Sequence, residues 1–335
     1  MTTTVGLDFV TYAADNYAHW IEYWLMSASR SNPDSQLFVY DVSTKPSLAI
    51  AQLAASFSNA HVIHWPPASW QSPSWIDELD FHFFWPGFNL RDEIKSLSRR
   101  LRYRITGHKK HDWMIDKQEF VATKKLFIQF SCVKPYIIQD AMTRGSRPLA
   151  FVDADAVILN HFYGHPVPET DVAVTVVDPD QVRIGGMWEP PGPDGPLPVS
   201  VINAGVIFFN KTPGAERLLD AWIDEISRVR HGSGDQTALA NLLYRNDPKF
   251  HETMTPFRIN TGGNHVLVSA LPCARFNQVR INQQNDFIMN ADVSIAHFVG
   301  SWKQPQLWQR VDEIIRHSLA QRSMVIPPKN HRDQK

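Results

Sequence analysis

Apolar positions along this chain fall into short blocks that switch between continuous runs and helical spacing. Val5 to Ala13 is a run that predicts a strand, and apolar residues at helical intervals from about Tyr17 to Ser29 predict a helix after it. Leu37–Asp41 reads as a second strand, Ser47 to Ser56 as a helix and Ala60–His64 as a third strand. Residues 65–90 break the rhythm, with Trp65, Trp70, Trp75, Phe81, Phe83, Phe84, Trp85 and Phe88 scattered among prolines and serines. These rings either fill a core under a long loop or offer a flat apolar platform to a sugar. Beyond them come a helix from about Lys125 to Met142, an apolar run from Leu149 to Leu159, and a strand over Val172–Val177. A further strand, Val199–Asn210, is interrupted by Asn203-Ala204-Gly205, and helices are predicted over Ala215–Val229 and Gln236–Tyr244. The prolines of Glu189–Pro198 exclude regular structure there. Strands alternating with helices predict an α/β fold: a mixed, mostly parallel sheet with helices on both faces. We expect one domain over residues 1–325, an aromatic and basic insertion at about 65–125, and a flexible tail over 326–335.

The run from Leu149 to Leu159 carries two carboxylates, Asp153 and Asp155, one residue apart. Charged side chains are rarely buried unless paired or bound to a metal. Residues i and i+2 of a strand share a face, so both carboxylates can converge on one cation at the strand's C-terminal end. Such oxygen ligands suit magnesium or manganese. The competing reading makes Asp153 a turn cap and leaves Asp155 in solvent.

Composition narrows this picture only in places. With 335 residues, 43% hydrophobic and 20% charged, the chain has the make-up of an ordinary globular protein, and its net charge of −1 gives no general attraction to polyanions. The charge is unevenly spread, however. Lys95 to Lys125 holds ten Lys/Arg against three acids, and Arg99, Arg100, Arg102 and Arg104 form its densest cluster. Cys132 and Cys273 are too few for a disulfide framework and too far apart in sequence for a zinc cluster, which fits reduced core residues in a cytoplasmic protein. The first residues lack a signal-peptide layout, and no stretch approaches a membrane span of about 18 apolar residues. Peripheral contact with a membrane surface stays open.

Four segments in this order resemble the GT-A glycosyltransferases, and among them the retaining glycogenin and lipopolysaccharide galactosyltransferase group. They are Phe151-Val152-Asp153-Ala154-Asp155, Val201-Ile202-Asn203-Ala204-Gly205-Val206, Gly234-Asp235-Gln236-Thr237-Ala238-Leu239-Ala240-Asn241 and Ala296-His297-Phe298-Val299-Gly300-Ser301-Trp302-Lys303. The resemblance implies a UDP-linked hexose donor, such as UDP-glucose or UDP-galactose, and transfer to a hydroxyl with retention. It also implies a manganese or magnesium ion held by Asp153, Asp155 and His297. Asn203, Ala204 and Gly205 would line the donor sugar, and Gly300 and Lys303 would meet its phosphates. Lys134 would be a basic donor-binding residue, and Thr11, Tyr12 and Ala13 would contact uracil and ribose. Asp235 would hold sugar hydroxyls, with Gln236 beside the anomeric carbon. Plainer readings stand next to these: a core histidine at 297, surface lysines at 134 and 303, a helix N-cap at Asp235, and a turn residue at Asp41.

The acceptor is most simply a glycan or a lipid-linked saccharide. The arginine cluster motivates an alternative in which the acceptor is a hydroxymethylated base in DNA, because clustered cations hold phosphate backbones. A noncatalytic binding protein on the same scaffold is a further alternative, opposed by the intact chemistry of all four segments. A sugar nucleotidyltransferase would carry a Gly- and Lys/Arg-rich loop after the first strand, and Thr11-Tyr12-Ala13-Ala14-Asp15 is not one.

Overall fold

Strands β1 (Asp8–Ala13), β2 (Leu37–Asp41) and β3 (Ala60–His64) run parallel. The helix between the first two, α1 (Ala18–Ser31), buries Trp20, Ile21, Trp24, Leu25 and Ala28, one stripe at helical spacing. Helix α2 (Leu48–Ala54) starts where Ser47 Oγ accepts the Ile50 N–H, as an N-cap does. The computed structural model describes residues 6–70, 72–80, 117–177, 183–184, 198–199, 201–228, 234–277, 280–281, 287–288, 293–298 and 313. Most of the predicted insertion, with Arg99, Arg100, Arg102 and Arg104, lies outside these residues. So do residues 189–197, Gly300, Lys303 and the 326–335 tail.

A single helix over Lys125–Met142 is not what forms. Two helices cover the region, α3 (Lys117–Cys132) and α4 (Lys134–Arg144). Pro135 lacks an N–H to bond back into α3, yet fits the first turn of a new helix. The basic segment is therefore helical from Lys117 onward.

The eight-stranded main sheet has the order β10-β11-β6-β9-β4-β1-β2-β3. Its second half comprises β4 (Leu149–Val152), β6 (Val172–Val176), β9 (Ile202–Phe209), β10 (Phe257–Thr261) and β11 (Asn264–Pro272). Strands β9 and β10 oppose the other six, so the sheet is mixed and mostly parallel. Alternate residues of its strands face two cores. Val10, Tyr40, Phe151 and Phe209 pack on the side of α4 and α5 (Pro213–Arg228), and Phe9, Val39, Val152 and Phe208 pack on the side of α1. With both faces covered, β4 can be apolar throughout, which is why its sequence does not alternate.

Two predicted features are corrected at the point where the sheet meets the site. The run Leu149–Leu159 is not one strand. It breaks after Val152 into a turn closed by the Ala156 N–H on the Asp153 carbonyl, and resumes as β5 (Ala156–Ile158), which leaves the main sheet to pair with β14 (Ile295–His297). Asp153 and Asp155 therefore converge through a turn and not through strand alternation. Conversely, Asn203-Ala204-Gly205 does not interrupt its strand but lies within β9 as a bulge. Pairing jumps from Val174↔Ile207 to Val176↔Ile202, so Thr175 alone faces residues 203–206.

Candidate active site

Because β9 runs against β4, its N-terminal bulge meets the C-terminal end of β4, and the Asp153 N–H donates to the Gly205 carbonyl at 2.8 Å. The β5–β14 pair delivers the third element. His297 stands opposite Ala156, and the Phe298 N–H donates to the Asp155 carbonyl at 2.9 Å. One ligand atom from each of Asp153, Asp155 and His297 lies within 4.8 Å of the others. Ligands at about 2.1–2.2 Å from an ion stand up to about 4.3 Å apart across it, so movements of a few tenths of an ångström would close the set around a divalent cation. The donor atoms, two carboxylate oxygens and an imidazole nitrogen, suit manganese well and magnesium adequately.

His297 Nε2 faces Asp155 Oδ1 at 3.0 Å and Asp153 Oδ2 at 3.6 Å. Burial disfavours the imidazolium, but the two carboxylates outweigh it and hold the His297 pKa above its ordinary value. Burial likewise opposes charge on Asp155, yet the imidazole beside it holds that carboxyl below its usual range. For Asp153 burial prevails and raises the pKa, against Lys134 and His297.

Gly205 is where the backbone must come closest. A Cβ there would sit 2.3 Å from His297 Cε1, 2.5 Å from Nδ1 and 2.8 Å from Asp153 Oδ2. Only glycine lets the β9 bulge support the histidine ring and the carboxylate together.

Lys134 opens α4 and is almost fully buried. Its Nζ lies 3.0 Å from Asp235 Oδ2, 3.3 Å from Asp153 Oδ1 and 3.0 Å from the Ala204 carbonyl, with the Phe151 ring centroid 4.8 Å away. Burial works against its charge, but the two aspartates hold its pKa above the ordinary lysine value. It is not a surface lysine. Asp235 is not an N-cap either, since helix α6 (Gly234–Asn246) already begins at Gly234 and places it in the first turn, where a negative charge faces the helix dipole favourably. The Trp222 indole donates to the Asp235 carbonyl at 2.7 Å and pins this turn to α5. Gln236 Oε1 accepts the Ala204 N–H at 3.2 Å, and Asn203 Oδ1 accepts the Gly205 N–H at 3.0 Å.

The end of β1 completes the neighbourhood. Burial, with Asp153 and Asp235 nearby, holds the Tyr12 phenol well above its ordinary pKa, and burial with Asp155 and Asp153 raises that of Tyr17. Both are therefore neutral hydroxyls facing an acidic centre. Thr11 is buried, and among the described residues its hydroxyl finds no hydrogen-bond partner. Ala13 is buried, and its carbonyl accepts the Val42 N–H. Asp41 is a turn residue, as its two oxygens accept the N–H groups of Ser43 and Ser47.

Three participants escape the sequence. Asn277 accepts from His297 Nδ1 at 2.7 Å and donates to Thr175 Oγ1 and the Asn203 carbonyl. Nothing around Arg275-Phe276-Asn277 distinguishes it from an ordinary loop asparagine. Thr175 left a faint trace as the one hydroxyl in Val172-Ala173-Val174-Thr175-Val176, and Tyr17 looked like one more aromatic at a helix start.

No curated protein sequence matches the chain. Similarity to solved structures is distant. The galactosyltransferase LgtC in complex with donor and acceptor sugar analogs is 12% identical, covering 96% of this chain and 98% of that one, with a TM-score of 0.42. The WbbM bifunctional glycosyltransferase is 11% identical over 96% of this chain and 52% of its own, at 0.48. Mouse xyloside xylosyltransferase 1 is 14% identical over 88% and 98%, at 0.42. The family profile is more direct, for it matches residues 92–298, which include Lys134, both aspartates, the β9 bulge, the start of α6 and His297. The chain belongs to the nucleotide-diphospho-sugar transferase family and is a glycosyltransferase.

Proposed function

We propose that the protein transfers a hexose from a UDP-linked donor, UDP-glucose or UDP-galactose, to a hydroxyl of a glycan or lipid-linked saccharide, with retention at the anomeric carbon. The observation that carries this reading is the convergence of Asp153, Asp155 and His297 beside the Lys134–Asp235 pair, at the C-terminal end of β4 in the middle of the sheet, the kind of place where open α/β sheets bind ligands. Asp153, Asp155 and His297 would hold manganese or magnesium. Such an ion, when bound, offsets the negative charge that grows on the departing diphosphate.

The remaining roles belong to the chain itself. Thr11, Tyr12 and Ala13 form the nucleoside end, with the Tyr12 hydroxyl as a hydrogen-bond donor. Asn203, Ala204 and Gly205 line the sugar, and Gly300 and Lys303 serve the phosphates. Asp235, fixed by Lys134, orients sugar hydroxyls. Gln236 lies beside the anomeric carbon, where its amide stabilises positive charge as the bond to the diphosphate breaks. An amide is a poor nucleophile, so the reaction runs on one face. The C1–O bond to the diphosphate breaks, the acceptor oxygen bonds to C1, and its proton passes to the leaving phosphate oxygen. Two buried free cysteines support a reducing, cytoplasmic setting. Among the described residues no helix is long and apolar enough to cross a membrane.

The test is UDP release from UDP-glucose and UDP-galactose with manganese, against the same assay with EDTA. Metal-dependent release that disappears in Asp155→Ala supports the reading. Equal release with EDTA refutes the metal, and no UDP released from either donor refutes the donor class.

A further inference from the structure

We infer that Asn277 is the positioning residue of the metal histidine: it fixes the tautomer of His297 and ties that ring to the donor-lining bulge of β9. The orientation of its amide follows from its partners. The Asn203 carbonyl, 2.8 Å away, can only accept, so the Asn277 amino group must face it. The Thr175 hydroxyl, 2.7 Å away, has its own proton directed at the carbonyls of Asn203 and Val206, and accepts from the same amino group. Asn277 Oδ1 is left facing His297 Nδ1 at 2.7 Å, and an amide oxygen can only accept. His297 Nδ1 therefore carries a proton, and Nε2, the nitrogen that faces Asp153 and Asp155, is the one that can offer a lone pair.

Asn277 is nearly fully buried and belongs to no catalytic segment of the sequence. Its four-residue helix, α8 (Cys273–Phe276), follows directly on β11, so the asparagine enters the site from the strand beside β6. It thereby couples two parts that the chain delivers separately. If the bulge shifts, the Asn203 carbonyl moves, and with it the amide that holds the imidazole.

The inference rests on the metal reading above, and the experiment separates the two. Manganese binding is measured by electron paramagnetic resonance of the free ion for the wild type, Asn277→Leu, His297→Ala and the double variant, with circular dichroism confirming the fold. Loss of an outer partner of a metal histidine weakens the metal by about 10–100-fold. Asn277→Leu should fall in that range, and should cost less than twofold when His297 is already alanine. Asn277→Asp, which keeps an oxygen for Nδ1–H but sets a carboxylate oxygen against the Asn203 carbonyl, should recover only part of the lost affinity. If His297→Ala binds manganese like the wild type, the metal reading itself fails and the inference with it. If His297→Ala weakens binding but Asn277→Leu does not, or costs as much without the histidine as with it, Asn277 is only a structural residue. A leucine variant that does not fold leaves the decision to Asn277→Ala, and a loss of less than twofold there overturns the inference.

Discussion

Lys134 Nζ stands 3.0 Å from Asp235 Oδ2, an ion pair that joins the first turn of α4 to the first turn of α6. The same ammonium reaches Asp153 at 3.3 Å, so one buried cation holds Asp153 and Asp235 in fixed relation. Removing one partner of a buried pair leaves uncompensated charge and costs about 3–5 kcal/mol. Lys134→Met should destabilise the protein by that amount in urea unfolding and abolish transfer. Unchanged stability would mean that the cluster is open to water.

Gly205→Ala tests the packing under the histidine. The new Cβ cannot coexist with the present His297 ring, which must tilt away from the aspartates. Overpacking of this kind costs about 1–3 kcal/mol, so the fold should survive while manganese affinity falls at least tenfold. Calorimetric titration with manganese reads the affinity directly.

The charge on His297 sets a pH dependence. In the metal-free protein its pKa is raised by Asp155 and Asp153 over the opposing effect of burial. Its ion pairing therefore stabilises the metal-free fold fully below the unfolded-state value of about 6.5, and that stability is lost as pH rises through the folded value. Metal binding has the opposite sign, since the ion displaces the Nε2 proton. With EDTA the Tm should fall as pH rises from 6.5, whereas the Tm gain from added manganese should grow over the same interval. A manganese effect that is flat with pH would exclude His297 as a ligand.

Gln236 and Asp235 should separate binding from turnover. Gln236→Ala removes an amide whose contribution grows only as the anomeric carbon becomes cationic, so kcat should drop by about 10²-fold with little change in KM for donor. Asp235→Ala should also lower kcat, but it strips Lys134 of a partner and should lower stability as well. Normal kcat with a raised KM for Gln236→Ala would make that residue an ordinary binding contact.

How much was legible beforehand depends on the distance over which each feature is encoded. Alternating strands and helices, the reduced cysteines and the Asp153–Asp155 pair could be read locally, because burial leaves a periodic trace and Asp153-Ala154-Asp155 interrupts an apolar run, whereas His297 could be told from a core histidine only through the family resemblance. Backbone hydrogen bonding was not legible in the same way. The Asp153–Ala156 turn and the β9 bulge depend on which strand lies alongside, and β5 leaves the sheet only because β14 arrives from about 140 residues later. Lys134 could not be told from a surface lysine without the family resemblance, because Asp235, one of its carboxylate partners, lies about 100 residues away. Asn277 left no sequence signal, since its role exists only where β6, β9 and β14 meet.

The central claim is that Asp153, Asp155 and His297 hold one divalent cation against the donor's diphosphate. Crystals grown with manganese and UDP, measured at the manganese absorption edge, test it most directly. The account predicts one anomalous peak between the three side chains, with Asp153 and Asp155 oxygens and His297 Nε2 within about 2.5 Å, directly or through one water for a carboxylate. A diphosphate bound beside these side chains with no peak there, or a peak on other ligands, would contradict it.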